Sequence, residues 1–293
     1  VGVRRIFWGV TEALHLVDVI NQTDFVENID GEDRLGQPMV QVAWQHDWGN
    51  VEFFLLPWFR ERTFPGPTGR LRAPLPVLTD TPRYEASSEQ RHLDWAVRYF
   101  QVFGPVEIGL AHFSGIQREP TLVPSLDAVT LQPVLLPFYQ LTDQSSLDLA
   151  AVFGDWLWKL EALSRRDNTG RSAAFTGGTE YTVVGLANSR IDLGLVAEYQ
   201  FDDRGANQTT FQNDVAIGGR FAFNDPQSTE VLLLAALDLD RDSRVYSIEG
   251  SRRIGDSWRL SIEARAFSSD DRGDPIFPLR RDDYLQITLE KFY

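Results

Sequence analysis

The residues of this chain best placed to do chemistry are charged side chains on the polar face of alternating stretches. They are Arg98, Lys159, Glu161, Glu198, Arg220, Glu249, Arg253, Arg259, Glu263 and Arg265. Full charges of both signs on one face of neighbouring strands set up a transverse field that orients and filters polar solutes. The plainer role for the same residues is structural ion pairing in a narrow interior. A second basic group, Arg60, Arg62, Arg70 and Arg72, lies among the prolines and glycines of residues 60–92. A stiff loop of that kind either folds inward as a constriction, facing acids from elsewhere, or shields an outer rim. Glu12, Asp18, Asp24, Glu27, Asp30, Glu32 and Asp33 crowd residues 10–36. With Asn21 and Gly31 they offer the hard oxygen ligands that Ca²⁺ takes, but their spacing misses the twelve-residue Ca²⁺ loop. A solvated acidic loop is the favoured reading, with no metal or other cofactor expected. Within it, residues 13–17 (Ala-Leu-His-Leu-Val) read as a short helix or an interior plug.

The elements that position these groups show in residues 244–267. Tyr246, Ile248, Gly250 and Ile254 alternate with Ser247, Glu249, Ser251 and Arg253. After Gly255-Asp256-Ser257, Trp258, Leu260, Ile262, Ala264 and Ala266 alternate with Arg259, Ser261, Glu263 and Arg265. A period of two broken by a tight Gly-Asp turn is a β-hairpin. The same design predicts fourteen strands, at 1–9, 38–48, 51–59, 93–103, 106–116, 136–153, 156–165, 179–188, 191–201, 211–223, 229–239, 244–254, 258–267 and 282–293. The connections alternate in length. Short ones (49–50, 104–105, 154–155, 189–190, 224–227, 255–257) hold Gly, Asn, Asp and Pro, and long ones (10–36, 60–92, 117–135, 166–178, 202–210, 240–243, 268–281) hold most of the acids. Trp48, Phe103, Phe153, Trp156, Phe223 and Trp258 sit where strands meet short turns. A soluble sandwich has no reason to sort its loops and aromatics this way. An outer-membrane barrel does, with an apolar band outside, a polar interior, and short turns at one end. The expected fold is an all-β, transmembrane, antiparallel up-and-down β-barrel, one domain over residues 1–293.

Bulk properties fit that expectation. No run of 18 apolar residues occurs in the 293, which excludes a helical span and leaves a β-barrel open. The net charge of −14 argues against nucleic acid as a partner. There is no cysteine, hence no disulfide framework or thiolate metal site. Lysine occurs only at Lys159 and Lys291, so the positive charge is almost all guanidinium, which holds its charge in a polar channel. The chain opens on Val1, inside what reads as a strand and with no initiator Met or signal segment, which points to processing or an upstream part.

The last stretch, YLQITLEKFY (284–293), resembles the closing strand of Gram-negative outer-membrane proteins, which ends on an aromatic residue preceded by alternating apolar ones. Leu285, Ile287, Leu289 and Tyr293 fit; Lys291 departs from the usual apolar residue, and Phe292 falls on the opposite face. The segments RRIFWGVTEALHLVDVINQTD, GDWLWKLEA, LVAEYQFDDR and NDPQSTE extend the likeness over almost the whole chain. They resemble a mostly uncharacterised family of porin-like outer-membrane proteins, distantly akin to substrate-specific porins and alginate exporters. In that family the segment matching residues 1–9 follows earlier strands, so a missing N-terminal hairpin would bring the barrel to sixteen strands or more. His112-Phe113-Ser114-Gly115 resembles the His-x-Ser of the outer-membrane phospholipase. The Asn after that Ser is Gly115 here, and no partner for His112 can be placed. His112 therefore reads as an interfacial histidine, and the chain as no enzyme.

These observations together lead to the expectation of a porin, a channel for passive diffusion of small hydrophilic solutes, anionic ones included, through a charged lumen. Its place is the outer membrane of a Gram-negative bacterium, with both termini periplasmic. Its partners are outer-membrane lipid and lipopolysaccharide, the solute, and the barrel assembly machinery through the last strand; monomer and trimer are both open. The competing readings are a transporter of hydrophobic compounds or lipids, for which Pro57 within a strand is the only hint of a distorted wall, a lipid-facing hydrolase, and a structural anchor.

Overall fold

Alternating strands leave backbone N–H and C=O groups pointing sideways, and each strand needs a neighbour to satisfy them. In the computed structural model, which describes residues 1–27, 31–205 and 209–293, the chain provides those neighbours by folding back on itself. Fourteen strands lie in sequence order in one antiparallel sheet. They are β1 (Gly2–Arg4), β2 (Gln37–His46), β3 (Gly49–Leu56), β4 (Asp94–Phe103), β5 (Val106–Ile116), β6 (Leu141–Phe153), β7 (Trp156–Asp167), β8 (Gly170–Val183), β9 (Asp192–Asp202), β10 (Asn213–Ala222), β11 (Glu230–Asp238), β12 (Arg244–Ile254), β13 (Trp258–Ser268) and β14 (Tyr284–Lys291). Among the described residues, no helix is long and apolar enough to cross a membrane.

The strand number matches the sequence reading, but several boundaries do not. The first strand, expected over residues 1–9, stops at Arg4 because side chains replace its ladder beyond that point. The Ile6 N–H donates to Asn21 Oδ1 at 2.8 Å and the Trp8 N–H to Asp18 Oδ1 at 3.3 Å. The expected long strand 136–153 breaks at Gln140, whose carbonyl accepts the Gln117 N–H. Its first part instead joins a separate three-stranded sheet of Arg83–Tyr84, Thr121–Leu126 and Pro133–Tyr139. The expected loop 166–178 is almost all strand. It contracts to Asn168-Thr169, where Asp167 accepts from both the N–H and the hydroxyl of Thr169. A Cβ on Gly178 would stand 2.0 Å from the Ala197 carbonyl oxygen; this glycine permits close strand approach. The turn placed at 189–190 is in fact residues 184–191, with Gly185, Ala187 and Asn188 at positive φ, and the first tight turn is Asp47-Trp48, two residues earlier than expected.

The chain clusters into two compact units. The first is Val1–Val10, Leu14–Leu149 and Leu160–Phe175; the second is Thr11–Ala13, Ala150–Lys159 and Thr176–Tyr293. In the first, Phe54, Ala96 and Phe113 lie side by side in register across β3, β4 and β5. With Leu56 and Met39 they bury Trp8, Val17, Val19 and Ile20. A smaller cluster gathers Phe59, Ala86, Ile116 and Tyr139. The opposite face of the same strands exposes Phe53, Leu55, Trp95 and Leu110. In the second unit, Leu195, Ile217, Ile248 and Ile262 are exposed while Glu198, Gln200, Asp214 and Arg265 are buried. A water-soluble protein buries the first kind and exposes the second. Here the polarity is reversed.

Candidate functional site

In the first unit the buried polar face is built around a carboxylate that receives backbone N–H groups. Glu161, on β7, is 0% exposed. Its oxygens accept the Val10 N–H at 2.7 Å and the Val17 N–H at 3.1 Å, and His15 Nδ1 stands 3.9 Å away. The chain turns beside it at Gly9, which has φ +147° and whose Cβ would come within 2.9 Å of Glu161 Oε1. Burial alone would lower the pKa of His15, but the negative charge of Glu161 beside it, with those of Glu32 and Asp18, raises it above the ordinary imidazole value. Burial raises the carboxyl of Asp18 against the pull of Arg34 at 3.1 Å. Further along, Arg98 forms a bidentate pair with Asp148 at 2.7 and 2.8 Å, and its guanidinium lies 5.0 Å over the Trp8 ring. Asp94, fully buried, accepts from the Ile116 N–H, from Arg118 at 2.8 Å, and pairs with His92. Arg118 also donates to the Ile20 carbonyl at 3.1 Å and packs on the rings of Phe113 and Phe59. The segments 6–10 and 14–20 are thus held by buried side chains rather than by a strand ladder.

The second unit repeats the device. Glu198, on β9, accepts the Glu12 N–H at 2.8 Å and the Ala13 N–H at 2.9 Å. The Glu12 side chain reaches Lys159 Nζ at 3.2 Å and the Arg220 guanidinium, while Glu180 lies 3.6 Å from Lys159 and 3.7 Å from Arg220. Burial pushes Glu12 up, but the two cations outweigh it and hold its carboxyl below the usual range. Arg265 bonds Glu249 at 2.9 Å and Glu263 at 3.2 Å, and Glu263 also accepts the Tyr284 hydroxyl. Arg253 and Arg259 differ from the rest of the set: both are exposed and line a cavity near the 255–257 turn.

The predicted charged set therefore separates into four groups: a buried ion pair at Arg98, backbone clamps at Glu161 and Glu198, ion-pair networks at Lys159, Arg220, Glu249, Glu263 and Arg265, and two exposed arginines. The loop arginines also separate. Arg60 donates to the Gly36 carbonyl at 2.7 Å, and Arg62 donates to Gln22 and lies 4.3 Å over the Phe25 ring. Arg70 and Arg72 are exposed, Arg72 bonding the local Gly69 carbonyl. Among the described residues no group of three His, Asp or Glu is placed to hold a metal ion. Asp24 is taken up by Thr63 at 2.6 Å, and Asp30 lies outside the described residues. His112 bonds Ser145 at 3.0 Å, a neighbour other than Ser114.

Asp148, Asp94, Arg118 and Glu180 were missed as site residues. Asp148 sits on the polar face of an alternating stretch and was findable by that signal. Glu180 lay within the expected strand 179–188 but was not singled out, and Arg118 lay in an expected loop. No model of a known protein family matches this chain, and no curated protein matches it.

Proposed function

We propose that the fourteen-stranded sheet closes, alone or with further strands, into an outer-membrane β-barrel whose charged face lines a solute channel. In that channel residues 9–20 form a constriction, held by Glu161 and Glu198. The observation that carries this reading is the reversed polarity. Exposed Phe53, Leu195 and Ile262 alternate with buried Arg98, Glu198 and Arg265, which suits hydrocarbon outside and a wet interior. Closure is required by the same reading, because hydrocarbon satisfies no unpaired strand edge. Exposed Trp48, Phe103, Phe153, Trp156 and Trp258 at the short-turn ends suit an interfacial girdle. The paired charges around Glu12 and Glu249 suit passage of small hydrophilic solutes, which an ion-lined interior solvates and an apolar one does not. The expected result in planar-bilayer recording is a steady conductance from the purified full chain, raised by the double variant E161Q/E198Q, which loosens residues 9–20. A silent bilayer for both proteins overturns the channel.

A further inference from the structure

Among the described residues, Lys159, Arg220 and Arg265 of the second unit have carboxylate partners, and Arg253 and Arg259 do not. They stand directly opposite one another across β12 and β13, an arrangement of like charges that destabilises a sheet unless something neutralises it. Among the described residues neither guanidinium has a carboxylate within ion-pair distance, and the one side-chain contact is Arg259 to the Ser251 hydroxyl at 3.2 Å. Acids lie on the adjoining strands and in the turn without forming an ion pair with either arginine. Glu230 is opposite Ser251 on β11, Glu290 is opposite Arg259 on β14, and Asp256 is in the turn. The two arginines, Glu230 and Asp256 line one cavity of about 500 Å³. A purely anionic ligand would meet repulsion from those acids, and a cationic one would meet it from the arginines. A ligand carrying both charges a few ångströms apart satisfies all four groups.

We propose that this cavity binds a small zwitterion, its carboxylate across the Arg253 and Arg259 forks and its ammonium against Glu230 and Asp256. A guanidinium fork matches a carboxylate with two parallel hydrogen bonds, which a lysine cannot reproduce. The inference names a solute class for the channel proposed above and rests on that reading for the solute's route, while the binding geometry belongs to the second unit alone.

The test titrates the purified full chain, folded in detergent micelles, with glycine, acetate and methylammonium by calorimetry. Glycine is expected to bind more tightly than either fragment. R253A/R259A is expected to weaken glycine roughly tenfold or more, the loss of a charge-assisted bidentate contact. R253K/R259K, which keeps the charge and the fold, is expected to fall between. E230Q is expected to weaken glycine and leave acetate unchanged. Glycine binding that is absent, or indifferent to both arginine variants, overturns the site. Acetate binding as tightly as glycine, with E230Q without effect, overturns the zwitterion. Bilayer recording on the same samples separates the two claims: binding without conductance faults the channel and leaves the site, and conductance without binding faults the site alone.

Discussion

Glu161 and Glu198 each receive two backbone N–H groups from a segment that lacks secondary structure of its own. A carboxylate in that position satisfies donors which would otherwise be buried unpaired. Charge-assisted bonds of this kind contribute about 1.5–3 kcal/mol each. E161Q keeps the shape but leaves an NH₂ facing one of the two donors, Val10 or Val17. It is expected to raise proteolytic cleavage within residues 9–20 by at least about tenfold, an estimate from one such bond, while E52Q, at a sheet position bonded to Gln41, leaves it unchanged. Equal cleavage in the two variants sinks the clamp. The neighbouring histidine adds a pH dependence. Since the folded pKa of His15 is raised above 6.5, its protonated pairing with Glu161 stabilises the fold fully below that value, and the contribution is lost as pH rises through the folded pKa. The unfolding midpoints of wild type and H15Q are therefore expected to differ most at about pH 5 and to converge at high pH. A difference that grows with pH contradicts the pairing.

At the scale of elements, the sequence was most legible where one strand's pattern is self-contained. β12 and β13 pair from Arg244↔Ser268 to Ile254↔Trp258, the hairpin that alternation alone predicted, and each of the fourteen expected strands has its counterpart. Residues 9–20 could not be read locally. Their partners lie 151 residues away at Glu161 and 186 residues away at Glu198, and no periodic pattern records a backbone N–H received by a distant carboxylate. Strand β8 was misread for a different reason. Gly177 and Gly178 look like loop residues, but the second is there because the Ala197 carbonyl leaves no room for a Cβ. G178V is expected to disrupt the pairing of β8 with β9, costing roughly 2–3 kcal/mol as overpacking does in a filled site. G154A, in an open turn where nothing lies within 4 Å of the added carbon, meets only the positive-φ strain of about 1 kcal/mol. Unfolding midpoints in the same micelle rank the two, and G178V equal to or milder than G154A removes the steric account.

For the molecule as a whole, the decisive quantity is what medium touches each face of the sheet. Ser261 and Ile262 are adjacent on β13 and point to opposite faces; Ile262 is exposed and pairs in register with Gly250 and Ile287, while Ser261 pairs with Ser251 and Thr288. If the apolar face meets hydrocarbon, arginine at Ile262 costs about 2–4 kcal/mol near the midplane of a bilayer; if it meets water, the cost is close to nothing. The chain contains no cysteine, so a single engineered thiol reports its own position without background. In lipid vesicles, I262C is expected to react with a lipid-soluble maleimide and to resist a charged, water-borne thiol reagent. S261C is expected to do the reverse. A thiol at Ile262 labelled readily from water would mean that the apolar face lies in solvent, and the membrane, the channel and its constriction would all have to be given up together.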